Sequence, residues 1–72
     1  MDSTYDEEHN LAYLSLADDE RRSERTVTLL DTDVKQGIVL DIGWDGRLIG
    51  MEFLNARESL RPEVLRQFRR IG

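Results

Sequence analysis

The chain has 72 residues, 39% of them hydrophobic and none of them cysteine, which excludes a large core and disulfide bonds. Its formal net charge of −5 disfavours nucleic acid as a partner, because neutralisation of phosphates dominates that kind of affinity. We expect no secretory signal, since the start is acidic, and no membrane-spanning segment, since no apolar run approaches ~20 residues. Residues 1–72 are therefore predicted to form one soluble cytoplasmic domain.

The first predicted elements are two strands joined by a polar turn. Residues 3–5 are predicted to pair with residues 11–17, where apolar side chains at alternate positions share one face. Residues 6–10 are polar, and Asn10 suits the left-handed conformation that closes such a turn. These features predict the first hairpin of a sheet.

A third strand lies between two polar connections. Residues 18–24 are almost all charged and are predicted to form an exposed loop. Residues 25–31 are β-branched at their centre, which is typical of a strand, and residues 31–37 are predicted to connect it to the next one.

The strongest local signal is a second hairpin, formed by residues 37–42 and 47–54. The turn between them contains Gly46, which takes positive φ without steric penalty. Gly50 inside the last strand indicates a bulge or a close backbone approach. Both strands carry apolar residues on both faces, so we expect the C-terminal segment or a second subunit to cover one of them.

A short amphipathic helix is predicted over about residues 62–70. Pro62 suits the first helical turn, and the apolar residues that follow have helical spacing: Val64, Leu65, Phe68 and Ile71. Residues 57–72 carry five arginines, which we interpret as the exposed face of this helix. The predicted fold class is therefore α+β: a small antiparallel β-meander of four to five strands, about residues 3–55, with one C-terminal helix.

Calcium binding is one candidate function. Asp41, Asp45 and Glu52 have nearly the spacing of an EF-hand loop, but Gly43 supplies no oxygen at the third position. The flanking segments also look like strands, whereas an EF-hand loop lies between helices. A hairpin turn accounts for the same residues, and a metal- or small-ligand-binding module on the three carboxylates remains an alternative.

The sequence contains no clear catalytic motif. His9 is the only histidine, no serine lies in a nucleophile elbow, and neighbouring carboxylates at residues 6–8 rarely converge on one ion. A carboxylate pair of Asp41 and Glu52 would need a pocket that shifts its pKa values. We expect no catalytic residue, no metal site and no cofactor.

Several motifs in a fixed order resemble the small prokaryotic family catalogued as domain of unknown function 2283. They are Tyr5-Asp6, Asn10, Ala12-Tyr13, Asp41, Asp45-Gly46, Gly50-Met51-Glu52, Leu54 and Ala56. Asn10 and Met51 stand where that family usually has Asp and Ile, and Gly43-Trp44 replaces a more acidic stretch. The resemblance implies a β-meander with a terminal helix, no assigned activity, and a partner-binding or antitoxin role for some members.

The predicted function is a non-enzymatic protein–protein interaction module that forms a homodimer. The apolar hairpin and the amphipathic helix favour it, because so short a chain buries little surface by itself. Trp44 either stays exposed for an interface or folds over the sheet edge. The alternatives are an antitoxin-like protein that neutralises a small partner toxin, the ligand-binding module, and a small hydrolase built around His9.

Overall fold

The computed structural model describes residues 1–17, 24–30 and 37–72, which form a sheet of six strands and two short helices. The strands are β1 (Asp2–Asp6), β2 (Leu11–Ser15), β3 (Arg25–Leu30), β4 (Gly37–Ile42), β5 (Leu48–Leu54) and β6 (Arg69–Ile71). The helices are α1 (Ala56–Ser59) and α2 (Pro62–Leu65). The order across the sheet is β3-β4-β5-β2-β1-β6. Neighbouring strands are antiparallel, except β1 and β6, which are parallel.

The first five strands lie where the alternation of side chains predicted them. The left-handed conformation expected at Asn10 is confirmed by its φ of 56°, and Gly46 has the expected positive φ, at 80°. Both residues occupy the tight connections between paired strands, where L-residues other than Asn and Asp rarely take positive φ. The predicted loop and connection at residues 18–24 and 31–37 lie, apart from their last residues, outside the described part of the chain.

The β-bulge predicted at Gly50 as one of two alternatives is found, and a side chain approaches the glycine closely. Asp41 pairs with Gly50 while Ile42 pairs with Leu48, so Ile49 is the extra residue of a β-bulge. A Cβ atom built on Gly50 would overlap the hydroxyl of Tyr13. The backbone of β5 is therefore in direct contact with the Tyr13 side chain.

The predicted C-terminal helix begins at Pro62, as expected, but its predicted extent to about residue 70 is wrong. The helix α2 has four residues and ends at Leu65, and turn hydrogen bonds carry the chain to Phe68. Residues Arg69–Ile71 then extend along the outer edge of β1 and pair with it in parallel. A nine-residue helix is marginal in water, whereas the edge of β1 offers backbone partners that pairing satisfies. The sheet is consequently mixed, with one strand more than the predicted meander.

The pairing registers divide the side chains between two faces of the sheet, since successive residues of a strand point to opposite sides. The apolar face carries Tyr5, Ala12, Leu14, Val27, Leu29, Ile38, Leu40, Ile42, Leu48, Met51 and Phe53, together with the polar Ser3 and the charged Arg25. The polar face carries Thr4, Tyr13, Thr26, Thr28, Asp41 and Glu52, together with Leu11, Val39 and Leu54. The apolar residues expected on both sides of β4 and β5 are thus concentrated on one.

The core lies at one end of the apolar face, under the two helices. Its buried cluster consists of Tyr5, Ala12 and Ala56, and four half-buried side chains pack against it: Phe53, Leu60, Leu65 and Phe68. Among the residues described, no helix has the length and apolar character needed to cross a membrane.

Asn10 holds α1 over this core. Its backbone carbonyl accepts a hydrogen bond from Ala56 N, and its Oδ1 accepts one from Arg57 N, both at 2.9 Å. Its Nδ2 donates to Glu58 Oε2 at 2.9 Å. The turn after β1 therefore fixes where the first helix begins, and with it which end of the apolar face is covered.

Candidate functional site: the open patch of the apolar face

Part of the apolar face lies away from the buried cluster. We call the following side chains the open patch: Leu14, Val27, Leu29, Ile38, Leu40 and Met51. Five of the six are half-buried, Leu29 is 49% exposed, and none belongs to the buried cluster. Large aliphatic side chains in the middle of a sheet normally pack against a second layer, so this surface is unusual for an isolated domain.

The open patch is continuous because its members pair directly across the strands. Val27 pairs with Leu40, Leu40 with Met51, and Met51 with Leu14. This row crosses four neighbouring strands, a distance of about 14 Å at about 4.8 Å per strand. Leu29 and Ile38 form a second pair beside it. The result is a flat aliphatic surface rather than scattered apolar residues.

Few hydrophobic residues of the described segments are fully buried. The buried hydrophobic residues of the described segments are Tyr5, Ala12, Ile42, Ile49 and Ala56. Two of these five are alanines, so the area that they remove from water is small. Folding must offset the conformational entropy of all ordered residues, and burial of the open patch would add to the limited hydrophobic term.

The polar face holds the carboxylates that the sequence singled out. Tyr13 Oη donates to Asp41 Oδ2 at 2.7 Å, and Glu52 pairs with Tyr13 on the neighbouring strand. Burial, the hydrogen bond to Asp41 and the charges of Asp41 and Glu52 raise the pKa of Tyr13 to about 12. These groups form a hydrogen-bonded cluster on the sheet.

Asp45 is separate from that cluster. It lies in the hairpin turn, where its Oδ1 accepts a hydrogen bond from Arg47 N at 3.1 Å. The turn is flanked by β4 and β5 instead of helices, so it does not have the architecture of an EF-hand. In residues 1–17, 24–30 and 37–72, no group of three or more His, Asp or Glu side chains is arranged to hold a metal ion.

The acidic turn after β1 closes on itself. Asp6 accepts a hydrogen bond from the backbone N of His9 at 3.1 Å and pairs with His9 Nδ1 at 2.9 Å. These hydrogen bonds from His9 lower the pKa of Asp6. His9 is mostly exposed, and its contact with Asp6 spans the three residues of the turn.

Trp44 lies at the tip of the second hairpin and is 78% exposed. Of the two interpretations from the sequence, the exposed position is the one found. The tip extends from the same hairpin that contributes Leu40 and Met51 to the open patch. An exposed indole is typical of contact sites, because Trp is enriched among residues that dominate binding energy.

The comparison with protein families supports the resemblance seen in the sequence. Residues 3–57 match the family model described as Protein of unknown function (DUF2283). The chain belongs to the DUF2283 family. No curated protein and no solved structure matches it. The DUF2283 match ends within α1, so α2 and β6 lie outside it.

Several residues of the DUF2283 resemblance have structural roles in this chain. Tyr5, Ala12 and Ala56 form the buried cluster, and Asn10 fixes the start of α1. Gly50 makes room for the Tyr13 ring. The spacing of these residues follows from the fold. The open patch was not singled out from the sequence, because the pairing registers of the strands decide which apolar residues remain uncovered.

Proposed function

We propose that the protein is a non-enzymatic interaction module and that it forms a homodimer through the open patch. The supporting observation is the row of directly paired aliphatic side chains from Val27 to Leu14, all of which are only half-buried. Contiguous apolar surface rimmed by polar residues is characteristic of protein–protein interfaces. The second subunit would cover the open patch in the way that α1 and α2 cover the other end of the apolar face.

The charge of the surface favours a second copy as the occupant. A symmetric dimer places the same patch on both subunits, so the patch must be complementary to itself. The open patch contains no ionisable side chain, although the chain as a whole has a net charge of −5. The six patch side chains of two copies can therefore meet without like charges in contact, which would oppose association, while Arg25 lies on the same face beside Val27.

The geometry of the surface also suits a sheet-on-sheet contact. Two sheets pack face to face at about 10 Å, with side chains from the inner faces interdigitating. Leu29 lies on β3, which is the edge strand of the sheet, and its side chain is accessible at the border of the patch. The proposal places Leu40 and Met51 at the centre of the interface and Leu29 at its rim.

The test is the oligomeric state of matched variants of β3. Sedimentation velocity and light scattering from about 5 to 500 µM should give a dimer for the wild type. Leu29→Asp introduces a charge into the interface and should weaken the dimer by about 100-fold or more. Thr28→Asp changes the adjacent, exposed residue on the polar face and should leave the dimer intact. Circular dichroism checks that both variants fold.

Two outcomes would contradict the proposal. One is a wild type that stays monomeric at high micromolar concentration. The other is equal dimer affinity for Leu29→Asp and Thr28→Asp. A monomeric wild type would mean that the open patch binds a partner of different sequence, as in the antitoxin-like alternative. Co-purification from the native host, with Leu29→Asp as the control, would then identify that partner.

A further inference from the structure

A second surface feature lies beside the core, between the C-terminal segment and β1. It is a cleft of about 400 Å³. Its lining consists of Tyr5, Glu7, Arg57, Leu60, Pro62, Leu65, Arg66 and Arg70. This volume lies within the range of small-molecule sites, about 300 to 1,000 Å³. None of the lining residues belongs to the open patch, so the cleft is independent of the proposed dimer.

The cleft combines a positive charge with an apolar wall. Three arginines and one glutamate line it, which gives a local charge of +2 in a chain whose net charge is −5. Leu60 and Leu65 are half-buried and pack against the buried cluster, so they are held in place. A concave site with an apolar wall and convergent charged groups is the usual form of a site for an amphipathic ligand.

Two of the arginines are positioned by neighbours. Arg57 Nη1 donates to Tyr5 Oη at 3.1 Å and to the carbonyl of Glu7 at 3.4 Å. Arg70 Nη1 forms an ion pair with Glu7 Oε2 at 3.2 Å. A guanidinium group has five N–H donors, so each of these two side chains retains donors after making its contacts with Tyr5 or Glu7.

Arg66 differs from the other two. It lines the cleft, and in the described part of the chain its side chain makes no hydrogen bond or ion pair. Its backbone position is fixed, because its N–H donates to the carbonyl of Pro62 at 3.0 Å. Arg66 is thus a cation that lines the cleft, and the N–H donors of its guanidinium group are available to a ligand.

We propose that this cleft binds a small organic anion, in which a carboxylate or phosphate group is attached to an apolar body. Arginine pairs with both groups through two parallel N–H···O bonds, with Arg66 as the principal donor. The apolar body lies against Leu60, Pro62 and Leu65. Five of the eight lining residues follow Arg57, where the family match ends.

The test is a titration of the full chain with defined probes, followed by amide chemical shifts in NMR spectra. The probes are benzoate, phenyl phosphate, inorganic phosphate and phenol. Benzoate and phenyl phosphate should shift amides of residues 5–7 and 57–70, and their relative affinities tell which head group is preferred. Phenol lacks the charge and inorganic phosphate lacks the apolar body, so each should bind at least about tenfold more weakly.

A pair of arginine variants provides the matched control. Arg66→Gln should reduce the affinity for the aryl anions by about tenfold or more, since it removes the charge and two parallel donors. Arg61→Gln removes the same charge from an exposed residue of the same segment that does not line the cleft, and should change the affinity less than about twofold. Both positions are exposed, so both variants should keep the wild-type fold.

Three results would overturn the proposal. The first is the absence of shifts in the cleft with either aryl anion at 10 mM, a concentration on the order of ten times a weak, millimolar dissociation constant. The second is the same affinity for Arg66→Gln and Arg61→Gln. The third is a set of shifts confined to the open patch. The oligomeric state is measured separately, so a failure here leaves the homodimer proposal standing.

Discussion

Tyr13 donates its phenolic hydroxyl to Asp41 at 2.7 Å, although β2 and β4 are separated in the sheet by β5. The bond crosses β5 at Gly50, which has no side chain to block the ring. Three strands are thereby joined on the polar face by one side chain. We therefore expect changes at Tyr13 and at Gly50 to affect the stability of the sheet together.

Removal of the Tyr13 hydroxyl should destabilise the protein at neutral pH. Tyr13→Phe loses a hydrogen bond to a carboxylate on a half-buried face, and we expect a loss of about 1 kcal/mol in the free energy of unfolding. Urea denaturation at pH 8 measures it. No difference between Tyr13→Phe and the wild type would mean that the hydrogen bond contributes nothing.

The pH dependence of that difference has a defined sign. Folding raises the pKa of Tyr13 from 10 to about 12, so the folded state favours the neutral phenol. The stabilisation is fully present below pH 10 and is lost as the pH rises to about 12. The stability difference between wild type and Tyr13→Phe should therefore shrink over this range, while other titrations cancel in the comparison. A difference that grows with pH would contradict the assignment.

Gly50→Ala should destabilise the sheet by about 1–3 kcal/mol, because the added methyl group overlaps the Tyr13 ring and must displace it. A double-mutant cycle with Tyr13→Ala tests the cause. Once the ring is removed, Gly50→Ala should be close to neutral in urea denaturation. An equal cost in both backgrounds would show that the β-bulge itself, and not the ring, requires glycine.

Variants of Asn10 should separate backbone strain from the hydrogen bonds that hold α1. Asn10→Gly keeps the left-handed conformation but loses the contacts to Arg57 and Glu58, and we expect a cost of about 1–2 kcal/mol. Asn10→Ala adds the strain of positive φ and should cost about 1 kcal/mol more. Thermal melts compare the two variants, and equal stabilities would mean that φ is not a constraint.

Asn10→Asp offers a related check with a pH readout. The new carboxylate can still accept from Arg57 N, but it lies beside the carboxylate of Glu58 in place of a donor. Repulsion between the two should destabilise the variant at pH 7, and protonation should relieve it as the pH falls below about 4. A constant difference from wild type between pH 7 and pH 3 would argue against this contact.

Phe68 and Val64 test the correction to the C-terminal helix. Phe68→Ala should cost about 2–3 kcal/mol, less than for a fully buried ring, because Phe68 is half-buried against the core cluster. Val64 has a comparable place in the helical spacing but is exposed, so Val64→Ala should stay within about 0.5 kcal/mol of wild type. Similar costs at both positions would instead support the continuous amphipathic helix.

The sequence predicted the strands and their turns because their signals are local. Alternation along β2 and the glycine turn between β4 and β5 depend on residues within a few positions of each other. Asn10 and Gly46 were recognised for the same reason, since a positive φ restricts the residue type at its own position.

The C-terminal segment shows the limit of local signals. Val64, Leu65 and Phe68 have helical spacing, yet the chain turns after Leu65 and Arg69 pairs with Thr4 of β1. That partner lies at the opposite end of the sequence. The three residues of β6 are exposed, so the strand is held by the backbone partners that the free edge of a distant strand offers, not by burial of apolar side chains.

The sequence by itself determined the five-strand framework, its tight turns and the family. Only the tertiary structure decided the parallel pairing of β6, the crossing of β5 by Tyr13, and which end of the apolar face the helices cover. The physical reason is that backbone conformation responds to neighbouring residues, whereas side-chain burial depends on which strands become adjacent. The open patch and the arginine-lined cleft both result from which strands and helices become adjacent in the folded chain.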